Sequence, residues 1–151
     1  MTAYADSSAI VKLYVPERGY ETVRERTGLL VTAALTRVEV ASALWRKQRL
    51  GELDDSDAVT LLAAFEADLT DPAGRFAVVV LNAAVLTEAT AVVAQHALRA
   101  YDAVQLATAL VARRALGNLE EFAAFDRQLR RAAVAESFTL IPNSVDIDWR
   151  T

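Results

Sequence analysis

Short apolar runs alternate along the chain with segments in which apolar positions recur every three or four residues. "TAYA" (2–5) reads as a first strand, and "SSAIVKLYV" (7–15) as a helix that Pro16 ends. "GYETVRERTG" (19–28) reads as a short helix closed by Gly28, and "LLVTAA" (29–34) as a second strand. "TRVEVASALWRKQRLG" (36–51) is an amphipathic helix with a glycine stop. "DDSDAVTLLAAFEADL" (54–69) is another, with acids in its first turn, where they suit the helix dipole. "RFAVVVL" (75–81) has the apolar density of a buried strand. Helical patterns fill 83–98 and 101–116. "LEEFAAF" (119–125) is a fourth strand, "DRQLRRAAVAE" (126–136) a helix and "FTLI" (138–141) a last strand.

Strands separated by helices imply right-handed crossovers and a parallel sheet covered on both faces, an α/β fold. In such sheets ligands bind beyond the carboxyl ends of the strands. The length of 151 residues, with no internal repeat or linker, predicts one domain over 1–151.

Composition narrows the chemistry. Apolar types make up 54% of the chain, ample for a core. There is no cysteine, which excludes disulfides and thiolate metal sites and fits a reducing cytoplasm. A single histidine, His96, excludes a multi-histidine metal site. Near the end of its helix, His96 is expected to face the dipole or to pack. The N-terminus lacks the pattern of a signal peptide. The longest apolar stretch, "FAVVVLNAAVL", is broken by Asn82 and is shorter than the roughly 18–20 residues a membrane span needs. A cytoplasmic protein with no membrane role is therefore expected. Net charge is −4 and the pI about 5.0, which counts against simple electrostatic binding of nucleic acid. It does not exclude a nuclease whose metals supply the positive charge.

Four acids stand at predicted helix starts: Asp6, Glu39, Asp102 and Asp126. Each alone has a structural explanation. Asp6, Asp102 and Asp126 would serve as N-caps, and Thr36-x-x-Glu39 fits a capping box. Jointly they suggest more. Asp6, Glu39 and Asp126 each follow a strand and so share the carboxyl rim of the sheet, and Asp102 joins them if its helix points its N-terminus there. Carboxylates gathered without cations repel one another. Oxygen ligands without His or Cys suit a hard divalent cation such as Mg²⁺ or Mn²⁺.

"ADSSAIVKLYVPE", "TRVEVASALWR", "LRAYDAVQLATAL" and "FAAFDRQLRRAA" occur in that order over nearly the whole chain, and together they resemble a PIN domain, specifically the toxin of a VapBC-type toxin–antitoxin pair. The resemblance implies an α/β/α sandwich with a central parallel sheet of four to five short strands. It implies an Mg²⁺- or Mn²⁺-dependent ribonuclease acting on RNA phosphodiesters, with Asp6, Glu39, Asp102 and Asp126 as the catalytic quartet. Asp6, Asp102 and Asp126 would hold the metal. Glu39 would be a ligand, directly or through water, or a base orienting the water. Ser7 and Ser8 are candidates to support Asp6. The chain departs from the family at Ala124, where Ser or Thr is common, and at Gln105, where His is common.

The resemblance also implies partners: an antitoxin protein and a second copy of the chain in a homodimer. The antitoxin is expected to lay apolar groups on the helices at 7–15 and 36–49, around Ile10, Tyr14, Val40 and Trp45, and to insert an Arg or Lys among the four acids. Arg99 would touch RNA phosphate or pair with an acid. Arg113, Arg114, Arg127, Arg130 and Arg131 read as solvated helix faces, and Tyr14, Trp45 and Phe65 as core or dimer contacts. Two alternatives remain: a PIN fold that binds a partner without cutting, and a receiver-like signalling domain. The latter would call for a lysine after the last strand, and none follows Lys47.

Overall fold

The structure is a computed structural model that describes residues 2–26 and 28–143. Its elements are β1 (Thr2–Ala5), α1 (Ser7–Tyr14), α2 (Tyr20–Arg24), β2 (Leu29–Ala33), α3 (Thr36–Arg49), α4 (Asp55–Thr70), β3 (Phe76–Val79), α5 (Ala83–His96), α6 (Ala100–Leu116), β4 (Glu121–Ala123), α7 (Arg127–Ala135) and β5 (Thr139–Ile141). The strands form one sheet in the order β3-β2-β1-β4-β5, every pairing parallel.

From β1 the chain steps outward to β2 and β3, then crosses back to β4 and β5. Right-handed crossovers that change direction must change face. The two cores record this. One joins α1 to α4 with Ala3, Ala5, Leu30, Phe76 and Ala123. The other joins α5, α6 and α7 with Tyr4, Val31, Phe122 and Leu140. Along β1 the side chains alternate, Ala3 and Ala5 to one core and Tyr4 to the other, as the period of two requires. The result is an α/β/α sandwich with helices on both faces of the sheet.

Three expected elements are shorter, among them the strand expected over 75–81, which spans only Phe76–Val79. The helix expected over 19–28 ends at Arg24, and residue 27 of that span lies outside the described residues. The strand expected over 119–125 keeps only Glu121–Ala123. The reason is local: Phe125 gives its N–H to Ser8 Oγ at 3.0 Å, not to a neighbouring strand.

Sheet order also decides one alternative. A receiver-like domain has the order 2-1-3-4-5. The order here is different, and the receiver reading falls.

Candidate active site at the carboxyl rim of the sheet

The direction of the chain reverses between β1 and β4, so the gap between their carboxyl ends is the switch point where an open α/β sheet binds ligands. Asp6 follows β1 and Asp126 lies just beyond β4. Glu39 lies in the first turn of α3, after β2. Asp102, in the first turn of α6, joins them, since its charge acts on Asp6 and that of Asp126 acts on it.

Asp6 and Asp126 are both N-caps. Asp6 Oδ1 accepts from Ala9 N at 3.0 Å, and Asp126 Oδ1 from Leu129 N at 2.9 Å. Asp102 differs from the expectation: Arg99 holds the N-cap position, and Asp102 is the third residue of the helix. The expected capping box at Thr36 and Glu39 is also absent, because Leu35 precedes the helix and makes no side-chain cap. Thr36 and Glu39 point their polar atoms elsewhere. Gln105 Nε2 donates to Glu39 Oε1 at 2.6 Å and to Thr36 Oγ1 at 3.0 Å. A capping box does form at Asp54 and Asp57, where α4 begins.

The two serines after Asp6 both act on the acids. Ser8 Oγ donates to Asp6 Oδ1 at 2.6 Å while accepting from Phe125 N, so it bridges the ends of β1 and β4. Ser7 pulls the Glu39 carboxyl down against the rise that burial causes. Ala124 is fully buried, in the core on the α5, α6 and α7 face of the sheet.

Electrostatics show the site's charge deficit. Asp6 is 3% exposed, and burial pushes its carboxyl up to about 7, against the pull of the Ser8 and Ala9 bonds and with the push of Glu39 and Asp102. Asp102 is pushed up to about 6, by burial first and then by Asp126, with Arg99 pulling it down. Glu39 is also raised, chiefly by burial, with Asp102 adding to the rise. Arg99 and the buried Arg130 are the cations that feel these acids. The donor set is oxygen alone and under-neutralised, which fits a hard divalent cation in kind. The arrangement is open, however: among the described residues no three acids or histidines are set to hold a metal ion.

A protein-family model for the PIN domain matches residues 3–135. The chain belongs to the PIN-domain family. No curated protein matches it significantly. Among solved structures it is similar to PAE2754 from Pyrobaculum aerophilum, at 23% identity and TM-score 0.63, over 96% of this chain and 93% of that one. It is similar to VapC20 from Mycobacterium tuberculosis, a sarcin–ricin-loop-cleaving toxin, at 19% identity and TM-score 0.61, over 86% and 94%. A toxin–antitoxin complex from Klebsiella pneumoniae matches at 16% identity and TM-score 0.59, over 82% and 86%. At these identities the likeness is one of fold.

Of the other expectations in this PIN domain, the core roles of Phe65 and Tyr14 and the helix-end place of His96 hold, and the rest need correction. Ile10 and Val40 are fully buried in the core and offer no surface to a partner. Phe65 is core, and Tyr14 packs edge-on against it. Two of the arginines read as solvated are engaged. Arg130 is buried, donating to the carbonyls of Ala124 and Pro142 at 2.8 and 2.7 Å. Arg113 lies over the Phe138 ring and donates to Glu136 O, whereas Arg114 is exposed as expected and pairs with Glu88 at the surface. His96 packs at a helix end, its Nε2 2.8 Å from Glu136 Oε1. Arg130 and Gln105 are the residues whose roles the sequence concealed. The signal for Arg130 was its place beside Leu129 and one turn before Ala133, both buried. A cleft of about 440 Å³ lies at the amino ends of β1, β4 and β5, lined by Thr2, Glu121 and Thr139, and so on the far side of the sheet from the four acids.

Proposed function

We propose that this PIN domain, a single unit over 1–151, is a divalent-metal-dependent endoribonuclease and the toxin of a toxin–antitoxin pair. The observation that carries the reading is the convergence of Asp6, Glu39, Asp102 and Asp126 at the switch point of the sheet, where burial and neighbouring acids raise the carboxyls of Asp6, Glu39 and Asp102. Asp6, Asp102 and Asp126 would hold Mg²⁺ or Mn²⁺. When bound, the ion supplies an acidified water and charge stabilisation at the phosphate. The chain's own residues do the rest. Oδ1 of Asp6 and of Asp126 is fixed by the cap, which sets the direction of Oδ2. Glu39, held by Gln105, would either ligate or orient the attacking water. Arg99, at the N-cap of α6 beside Asp102, is placed for an RNA phosphate.

The partner reading rests on the structural likeness to a toxin–antitoxin complex and on the rim's unmet negative charge. An antitoxin's Arg or Lys among the four acids would supply that charge in place of the metal. Its apolar contacts would fall on exposed groups such as Val38, 65% exposed and adjacent to Glu39. A second copy of the chain is a further partner, and exposed Val80, Leu81 and Leu86 after the edge strand β3 give it apolar surface. No helix among the described residues is long and apolar enough to cross a membrane, consistent with a cytoplasmic setting.

Cleavage of a labelled single-stranded RNA tests the activity. The expected result is cleavage with Mg²⁺ or Mn²⁺ and silence in EDTA; cleavage unchanged in excess chelator overturns the mechanism. The open arrangement of the acids favours one second reading, a PIN fold that binds a partner without cutting. Failure to bind Mn²⁺ would select it.

A further inference from the structure

Gln105 is 1% exposed, and its side-chain amide is bonded at both ends. The direction of every bond around it follows from the donor inventory. An ionised Glu39 only accepts, so the Gln105 NH₂ must face it. Oε1 then faces Tyr4, whose hydroxyl donates to it at 2.5 Å. Thr32 spends its single proton on Ala5 O at 2.7 Å. Thr36, 2.7 Å from Thr32 Oγ1, must therefore donate to Thr32 and accept from Gln105. A single directed set of bonds thus joins β1, β2, α3 and α6: Tyr4 to Gln105, Gln105 to Glu39 and Thr36, Thr36 to Thr32, and Thr32 to the carbonyl just before Asp6. Reversing any one bond would leave a buried donor or acceptor unmet, so the amide has one orientation, with its NH₂ toward Glu39.

We infer that Gln105 is a positioning residue, locked by Tyr4 and Thr36, that holds the Glu39 carboxylate in its working place at the rim and ties it to the Ala5–Asp6 strand end. The inference rests on the nuclease reading only for what Glu39 does, not for the lock itself. Tyr4 is the key of the lock. Its ring is fully buried and stacks on Phe122 at 5.0 Å, so its hydroxyl cannot swing away to release the amide.

The test is a mutant cycle read by cleavage of a labelled single-stranded RNA with Mn²⁺. Gln105→Leu is expected to lose roughly 10–100-fold, the usual effect of removing a residue that orients a site group, in kcat, with KM for the RNA unchanged. Tyr4→Phe keeps the ring and its packing and removes only the hydroxyl; up to about tenfold is expected, and this variant serves if Gln105→Leu does not fold. In a Glu39→Ala background neither change should cost anything further, whereas a merely structural role would multiply the losses. A folded Gln105→Leu or Tyr4→Phe variant that cleaves like wild type, or losses that multiply, overturns the inference. A wild type silent with Mn²⁺ would defeat the nuclease reading instead. The lock is then judged on ¹⁵N-labelled metal-free protein: Glu39→Ala must shift the Gln105 side-chain amide resonances, and unmoved resonances overturn it.

Discussion

At Asp6 and at Asp126 the two oxygens of one carboxylate are divided between two tasks. Oδ1 takes the backbone N–H of the cap, and Oδ2 carries no hydrogen bond among the described residues. Capping and metal binding are therefore compatible at one residue, since the cap fixes the side chain and leaves an oxygen directed at the rim. Asn at position 126 would have to keep Oδ1 on Leu129 N, because only that atom accepts. Its NH₂ would then stand where the second oxygen was, and a donor repels a cation. Asp126→Asn is expected to hold its melting temperature, since Asn and Asp cap about equally, while RNA cleavage falls by orders of magnitude. Circular dichroism melting beside a cleavage assay checks both. Ser8→Ala removes one of the two donors to Asp6 Oδ1 and the acceptor of the Phe125 N–H bond; about 1–3 kcal/mol of stability should go, with a loss of activity that Ser8→Thr partly restores.

Among the elements, α7 shows what a pattern of residue types reveals and what it hides. Its buried Leu129, Ala132 and Ala133 follow the helical period and were readable. Arg130 was not, because a guanidinium looks polar in a sequence whatever it bonds. Here it fastens the carbonyls at the ends of β4 and β5 beneath the rim. Arg130→Leu would strand both carbonyls, and a loss of roughly 2–4 kcal/mol should appear as a lowered denaturant midpoint at unchanged slope. The strand and helix order was legible from periodicity alone, since alternation between periods of two and 3.6 survives boundary errors of a residue or two. Helix α3 shows the limit. Thr36-x-x-Glu39 has the spacing of a capping box, but the buried amide of Gln105, sixty-nine and sixty-six positions away in sequence, takes both side chains. Local spacing cannot disclose a competitor that arrives through the fold. The four acids were found because each stands at a helix start. That they meet at one rim follows from the parallel topology; that no three close into a cage does not.

The whole molecule holds its acids at a cost that pH should expose. In metal-free protein Asp6 and Asp102 sit near 7 and 6, against about 4 in an unfolded chain. Between these limits the native state keeps protons that the unfolded state has released, so stability falls as pH rises through the window. Glu17 and Glu88, which ion pairs hold below their ordinary value, act at lower pH and do not oppose this. The melting temperature of metal-free protein should therefore be higher at pH 5.5 than at pH 8, and Asp6→Asn should flatten the difference. A melting temperature that climbs from pH 5.5 to 8 without metal would contradict the charge deficit. The most direct measurement of the central claim, that this deficit is a metal site, is calorimetric titration of Mn²⁺ into metal-free protein at pH 7.5, wild type beside Asp126→Asn. The account predicts binding to the wild type and none to a variant that melts no lower. A wild type that takes up no Mn²⁺, or a variant that binds it equally well, would contradict it.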